Sequence, residues 1–241
     1  MKVAQKVKRK ISGFPQGETF KYQQLGISRT EYPAAAKSIE RLIKTGVVRR
    51  VTTGVFYKPK SSAFGEIKPG EEELLKTYLF ENGKRIAYVT GVSLYNRMGL
   101  TTQIPKTIKV ASRVKRVSTK IGSTLIKPVK SYVDVTNDNY PLLEILDALK
   151  DIKSIPDVNK KSAVAILNSR INSLSEKELS KMVGHAKKYP PRTRALLGAF
   201  LEMSGKNAYL ETLKSTMNPF TKYSTGLDST TLPTGPEWKI T

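Results

Sequence analysis

The stretch from Ile39 to Pro59, IERLIKTGVVRRVTTGVFYKP, decides how the N-terminal part of this chain is read. Its first half continues a helix in which Ala36, Ile39, Leu42 and Ile43 recur on one face. Lys37, Ser38, Arg41 and Lys44 fall elsewhere around the axis. Gly46 is placed to end that helix, because the residue after a helix often needs a left-handed backbone. VVRRV and VFYK then alternate as strands around Thr52-Thr53-Gly54, with glycine supplying the positive φ of a tight hairpin. A basic helix leading into a short hairpin that carries paired arginines is the layout by which a winged helix-turn-helix holds DNA.

Upstream residues complete that layout. Val3, Val7, Ile11 and Phe14 share the apolar face of a first helix, which Gly13, Pro15 and Gly17 close. Phe20, Leu25 and Ile27 flank a short element, KYQQLG, of one or two turns. The recognition helix has two possible starts. Ser28 and Glu31 have capping-box spacing and place it at Arg29, whereas Pro33 fits a first turn and places it near residue 33. Both remain open from sequence.

A winged module meets phosphates with Lys and Arg, and base edges with a few side chains near the start of the recognition helix. The candidates here are Lys21, Ser28, Arg29, Thr30, Lys37, Ser38 and Arg41, with Arg49, Arg50, Thr52 and Thr53 on the wing. Arg49 and Arg50 are adjacent on a strand, so one of them faces a duplex while the other faces away.

Composition supports a polyanionic partner. The chain has 241 residues, with 42 Lys/Arg against 20 Asp/Glu and a formal net charge of +22. Residues 1–64 carry 14 Lys/Arg and 3 Asp/Glu, so half the excess sits in the first quarter of the chain. An apolar content of 39% suffices for packed cores. The absence of cysteine excludes disulfides and thiolate metal sites. MKVAQKVKRK is followed by no apolar segment resembling a signal peptide, and no run approaches the ~18 apolar residues of a membrane span. A cytoplasmic protein is expected.

Beyond the wing, Pro59 and the serine pair after it read as a linker, and an amphipathic helix is expected from Glu71 to Asn82. Glu71, Glu72 and Glu73 would complement its dipole. TIKVASR, STLIKPV and SYVDV alternate as short strands, and SLYNRMG is helical. From Pro141 the pattern is helical: PLLEILDALKDI, KKSAVAILNSRI, SEKELSKMVGHAKKY, PPRTRALLGAFLEMSG and NAYLETLKS. Ser175 and Glu178 form a capping box, and Pro190-Pro191 opens a new helix. The tail from Asn218, which carries the sole tryptophan, Trp238, is expected to wrap the rest of the chain. The expectation is an α+β protein. Residues 1–64 form a winged helix-turn-helix, and residues 65–241 a larger domain with a small sheet in 65–140 and helices in 141–241.

Enzyme signatures are weak. His185 is the only histidine and reads as a packing or surface residue; without a second histidine or any cysteine, zinc has no ligand set. Phosphate-cradling GxxxxGK[ST] and GxGxxG runs are absent, and DVTNDNY lacks the glycine and final carboxylate of a calcium loop, so it reads as a turn. No catalytic residue, cofactor or metal is expected. The alternative is a metal-dependent nuclease delivered by the winged domain, using Asp157 with Glu237 and Lys239, or Glu66 with Lys68. A third possibility is a basic scaffold for ribonucleoprotein assembly.

Two further blocks, Tyr88 to Pro105 (YVTGVSLYNRMGLTTQIP) and Tyr189 to Glu202 (YPPRTRALLGAFLE), together with FGEIKP after the wing, resemble the AbiEi-type antitoxins of abortive-infection, or type IV toxin–antitoxin, systems. The resemblance covers nearly the whole chain. It implies an N-terminal winged helix that represses its own operon at promoter inverted repeats. It also implies a C-terminal antitoxin domain that counteracts a nucleotidyltransferase-like toxin without a stable complex. A monomer in solution with two copies on the DNA fits that picture. Gly91, Tyr95, Asn96, Gly99, Leu100, Thr101, Thr102 and Gln103 lie in one signature block, and Arg192, Arg194 and Leu196 to Gly198 in the other. Tyr95, Asn96, Thr101, Thr102, Gln103, Arg192 and Arg194 are the antitoxin-domain candidates. Pro33 departs from the alanine-rich helix start usual in the family.

Overall fold

The computed structural model describes residues 2–63, 65–121 and 124–241, and only the backbone of Glu71 and Glu72. The protein is α+β and forms two units, residues 1–83 with 119–125, and residues 84–118 with 126–241. The boundary expected at 64/65 falls on Phe64, outside the described residues, and inside the span of the first unit.

In the first unit, α1 (Val3–Ser12) buries Val7 and Ile11. β1 (Thr19–Lys21) and a 3-10 turn at Tyr22–Leu25 follow. Both signals for the next helix are realised. Ser28 and Glu31 cap a single 3-10 turn, Arg29–Glu31, with the Ser28 N–H donating to Glu31 Oε2 at 2.9 Å. The chain then continues as α2 (Tyr32–Lys44) with Pro33 in the first turn, where a missing N–H costs nothing. β2 (Arg49–Thr52) and β3 (Val55–Tyr57) turn at Thr53-Gly54, Gly54 having φ 75°. The sheet order is β1-β3-β2, with Phe20 opposite Phe56 and Arg50 on the far side of Phe56. Val7, Ile11, Phe20, Leu25, Ala35, Ile39, Val48 and Phe56 make one core.

The serine pair after Pro59, expected as linker, instead belongs to a second hairpin, β4 (Lys60–Ser62) against β5 (Gly65–Ile67), with Ser61 opposite Glu66. Its described strand residues are all exposed, so it lacks the buried alternation by which strands are recognised in sequence. α3 (Glu71–Leu79) is shorter than expected and packs on β1. Glu73 accepts from the Thr19 N–H at 2.9 Å and from the Thr19 hydroxyl at 3.0 Å. The expected dipole role of Glu71 and Glu72 lies outside the described side chains. β6 (Phe80–Glu81) and β7 (Lys84–Arg85) flank the turn Asn82-Gly83, whose φ angles of 49° and 76° suit Asn-Gly.

The second unit holds β8 (Ala87–Thr90), α4 (Val92–Arg97) and β9 (Thr107–Ser112). β8 pairs antiparallel with β9, and Tyr88 sits opposite Ala111. β10 (Thr119–Ile121) counts with the first unit, where the Thr119 and Thr52 hydroxyls are 3.3 Å apart. β11 (Thr124–Lys130) runs beside β9. SYVDV is not a strand. Ser131 turns back on itself, its hydroxyl donating to the Val133 carbonyl at 2.6 Å, and the following loop is closed by Asn139.

Helices α5 (Tyr140–Asp151), α6 (Lys160–Asn172), α7 (Glu176–Ala186), α8 (Pro191–Met203) and α9 (Leu210–Lys214) follow, as the apolar periodicity indicated. The Ser175–Glu178 capping box is present. The tail wraps this unit: Trp238 is fully buried, its indole N–H donates to Glu202 at 2.6 Å, and the Thr234 hydroxyl donates to the Ala199 carbonyl at 2.6 Å. Among the described residues no helix is long and apolar enough to cross a membrane.

Candidate nucleic-acid interface

Helix α2 sorts its residues by the phase of its turns. Ala35, Ser38 and Ile39 are buried, while Thr30, Ala34, Lys37, Arg41 and Lys44 are exposed at spacings of three or four residues. Ser38 is 6% exposed and points into the core, so it cannot reach a duplex. Arg29 and Thr30 are exposed on the 3-10 turn at the N-terminal end of the stripe. Ser28 is committed to the cap, its hydroxyl 3.1 Å from Glu31 Oε2 and 3.0 Å from Thr30 Oγ1. Glu31 is also 3.3 Å from Lys6 of α1. The Ser28 N–H foremost, then Lys6, holds its carboxyl below the usual range.

On the wing the paired arginines separate. Arg49 donates through Nε to Glu66 of β5 at 3.1 Å, with a second contact from Nη2 at 3.0 Å. Glu66 in turn accepts from the Tyr57 hydroxyl at 2.7 Å. That bond first, and Arg49 second, lowers the Glu66 carboxyl, while burial and Glu66 push the Tyr57 phenol up to about 12. Arg50 is exposed, with its guanidinium 5.8 Å from the Phe56 ring centre. The arginine free to face a duplex is therefore Arg50. Arg49 must first leave a solvent-exposed ion pair, a small penalty.

Thr53 is exposed at the tip, and Thr52 is half-buried beside Thr119. Lys21 turns away, donating to the Thr77 carbonyl of α3 and lying 5.5 Å from the Tyr78 ring centre. The structure thus brings Arg29, Thr30, Lys37 and Arg41 onto one exposed stripe, and sets Arg50 and Thr53 on the wing.

Tyr22 and Tyr32 were not legible in the sequence. Their rings are 4.6 Å apart, and Tyr22 meets Phe56 edge-on at 5.2 Å. A row of rings thereby links the first turn of α2 to the strand beneath Arg50. Tyr32 is 45% exposed on that row. No periodicity marks these residues, because each is the first residue of its element, the 3-10 turn and α2 respectively.

In the second unit the residues implied by the resemblance fall into three places. Tyr95 is buried and donates to Asp151 Oδ2 at 2.5 Å, while Arg192 donates to the Lys150 carbonyl at 3.1 Å, so both grip the last turn of α5. Asn96, Thr101 and Gln103 shape one loop. Asn96 Nδ2 donates to the carbonyls of Thr101 at 3.3 Å and Gln103 at 3.1 Å, and Gln103 Nε2 donates to Asp157 at 2.7 Å. Thr102 is exposed on that loop. Arg194 stands apart, donating to the Thr216 carbonyl at 2.8 Å.

At the centre of the α5 contacts is Asp147, 2% exposed. It accepts from the Tyr88 hydroxyl at 2.9 Å, the Thr90 hydroxyl at 2.6 Å and Lys150 Nζ at 3.1 Å. The Tyr189 hydroxyl lies beside Tyr88 and Asp147 without a hydrogen bond of ordinary geometry. Burial first, then the neighbouring carboxylates, pushes the phenols of Tyr88, Tyr95 and Tyr189 far up. Burial works against the charge of Lys150, yet Asp147 and Asp151 hold its pKa above the ordinary value. The signal in sequence was an aspartate in phase with the apolar face of the helix, four residues after Leu143 and three before Lys150.

Of the residues considered for a nuclease, Glu66 is bound to Arg49 and Tyr57, and Asp157 to Gln103. Among the described residues no three His, Asp or Glu side chains converge as a metal site would require.

Comparison with known proteins places this chain in a family. Residues 6–183 match the model described as Family of unknown function (DUF6088), and the chain belongs to that family. Among curated proteins none matches. The fold is similar to the crystal structure of the RV2827C protein from Mycobacterium tuberculosis. That similarity has a TM-score of 0.57 at 13% identity, and covers 99% of this chain and 90% of that one.

Proposed function

We propose that this DUF6088 member is a cytoplasmic DNA-binding regulator that docks α2 in the major groove and lays the β2–β3 wing along the backbone. The reading rests on one observation. The exposed stripe of α2 carries Arg29, Thr30, Lys37, Arg41 and Lys44 with Glu40 as the helix's one carboxylate beside them, and Arg50 adds an exposed guanidinium on the wing. Lys37 and Arg41 meet phosphates or guanine edges, Thr30 and Arg29 meet the bases nearest the helix start, and Arg50 meets the flanking phosphates. Following the resemblance to AbiEi-type antitoxins, the DNA is the chain's own promoter, read as inverted repeats by two copies. The second unit counteracts a nucleotidyltransferase-like toxin without a stable complex, and the chain performs no catalytic step itself.

The test is equilibrium binding of the full chain to duplexes from upstream of its own reading frame, against scrambled duplexes of equal length. A preference for the upstream duplex of at least ten-fold is expected, in the range by which specific exceeds non-specific binding. Equal affinity for both overturns autoregulation. Co-expression with the product of an adjacent nucleotidyltransferase-like reading frame tests the antitoxin half, which fails if toxicity is unrelieved.

A further inference from the structure

The winged sheet has the order β1-β3-β2, so β2 is an edge strand. A strand from far along the chain covers that edge. Residues 119–125 belong to the first unit, and β10 packs beside β2. The contact is fixed at Thr119, whose hydroxyl is 3.3 Å from that of Thr52 and lies beside the Tyr78 phenol of α3. Ile121, two residues on, is buried. A bare edge invites pairing with other chains, so the cover has a structural use by itself. That use asks nothing of Lys120, the residue between the two anchors.

Side chains on a strand alternate between its two sides. Thr119 is half-buried and Ile121 buried, while Lys120 between them is exposed, and among the described residues no carboxylate pairs with it. The side it occupies follows from the register of the wing. Val55 stands opposite both Lys21 and Thr52, and Lys21 reaches the Thr77 carbonyl of α3. Thr52 and Thr119 therefore meet on the α3 side of the sheet. The irregularity between Arg50 and Thr52 puts Arg50, opposite Phe56, on the other side. Lys120, alternating with Thr119, turns to that same side. Two exposed cations thus face one way from neighbouring strands, and anchored backbones present them with little further ordering on binding.

We infer that β10 widens the wing, and that Lys120 is a phosphate contact for duplex DNA on the same side as Arg50. The inference rests on the winged reading of residues 1–83 and adds to it a residue from far along the chain. A single ammonium on a flexible stem meets phosphate as a point charge and takes no bidentate grip on a base edge. Lys120 therefore contributes affinity and salt dependence without base preference.

The experiment uses the full chain with fluorescein-labelled upstream and scrambled duplexes, titrated by anisotropy between about 50 and 200 mM salt. Lys120→Gln removes the charge, and Lys120→Arg restores it. Lys177→Gln, exposed on α7, removes the same charge elsewhere. Lys120→Gln is expected to weaken binding to both duplexes alike and to make the salt slope shallower by about 0.9. The loss of affinity across that salt range then shrinks about three- to four-fold. Lys120→Arg and Lys177→Gln should keep the parent's slope.

Lys120→Gln with the parent's affinity and slope overturns the inference and leaves the winged reading intact. An equal effect of Lys177→Gln overturns it too, since net charge alone would then explain the binding. Failure of Lys120→Arg to keep the slope shows that the charge is not what acts, and also overturns it. Lys120-dependent binding without upstream preference upholds the contact and overturns autoregulation. A chain that binds neither duplex overturns both.

Discussion

Replacing Gly198 by alanine sets two effects of known size against each other in the middle of α8. In an exposed helix the change gains about 1 kcal/mol, because alanine has the highest helix propensity and glycine among the lowest. At residue 198 the added Cβ would lie 2.2 Å from Cη2 and Cζ3 of Trp238, whose ring is fully buried. The ring cannot simply tilt away, since its N–H is tied to Glu202, one turn further along the same helix, at 2.6 Å. A shift of helix and indole together costs about 1–3 kcal/mol, and expulsion of the indole costs about 3–5 kcal/mol, as for truncating a buried tryptophan. With three ring atoms within 2.4 Å the shift falls at the top of its range, so after the propensity gain a net loss of about 2 kcal/mol is expected from a shift and about 2–4 kcal/mol from expulsion. Urea unfolding followed by circular dichroism measures it, and emission from the sole tryptophan should shift to the red. Gly184 of α7 provides the contrast: nothing lies within 4 Å of its Cβ position, and Gly184→Ala should stabilise by about 0.5–1 kcal/mol. Gly198→Ala made on top of Trp238→Ala should likewise stabilise. Gly198→Ala as stable as the parent, with unshifted emission, refutes the packing account.

Four other outcomes follow from the same geometry. Asp147→Asn leaves Lys150 half-buried without its nearest partner and should cost about 3 kcal/mol in denaturant unfolding; an unchanged midpoint would mean that the network contributes nothing. Arg41→Ala with Arg50→Ala should flatten the salt slope of duplex binding by about 2, whereas Lys21→Ala, removing a cation turned into α3, should leave the slope alone; a reversal would relocate the interface. Tyr88, Tyr95 and Tyr189 have folded-state pKa values raised above the ordinary 10.0, so the stability they contribute is present below that pH and is lost as pH rises past it. Their absorbance change at alkaline pH should therefore arrive together with unfolding, and gradual ionisation of all tyrosines in the folded protein would contradict this. Gly91→Ala should destabilise, since φ 73° with ψ −154° is a glycine region and the Cβ would meet Lys109 Cδ at 2.9 Å; thermal unfolding checks the sign.

The helices were legible in the sequence because each buries a continuous apolar stripe. Leu142, Leu143, Leu146 and Leu149 of α5 recur at helical spacing and are all buried. The competing signals at Ser28 and Pro33 both act, because a 3-10 turn and an α-helix can follow one another without a break. The β4–β5 hairpin and the Ser131 turn escaped detection for opposite reasons. The hairpin buries nothing and so shows no alternation. SYVDV does alternate, but the Ser131 hydroxyl offers its backbone a local partner in place of a strand. The extent of the first unit was not readable either. The return of residues 119–125 to it is a long-range contact that no local pattern announces.

Residue type marked the candidate interface well and residue phase marked it poorly. Lys37 and Ser38 are adjacent, yet 100° of helical rotation exposes one and buries the other. Arg49 and Arg50 are equally basic, yet a carboxylate seventeen residues away, on the exposed β4–β5 hairpin, engages only Arg49. The same rule applies to the blocks that carry the antitoxin resemblance. Tyr95, Asn96, Thr101, Gln103 and Arg192 spend their polar atoms on Asp151, on the loop carbonyls, on Asp157 and on the end of α5. Side chains so committed specify a shape, and only the groups they leave exposed are open to a further contact. In that loop these are Thr102 and Ile104, the latter 89% exposed beside the anchored Gln103. Loss of activity on replacing Tyr95 or Gln103 would therefore be accompanied by a lowered unfolding midpoint, whereas Ile104→Ser should leave the midpoint within about 0.5 kcal/mol of the parent whatever it does to function.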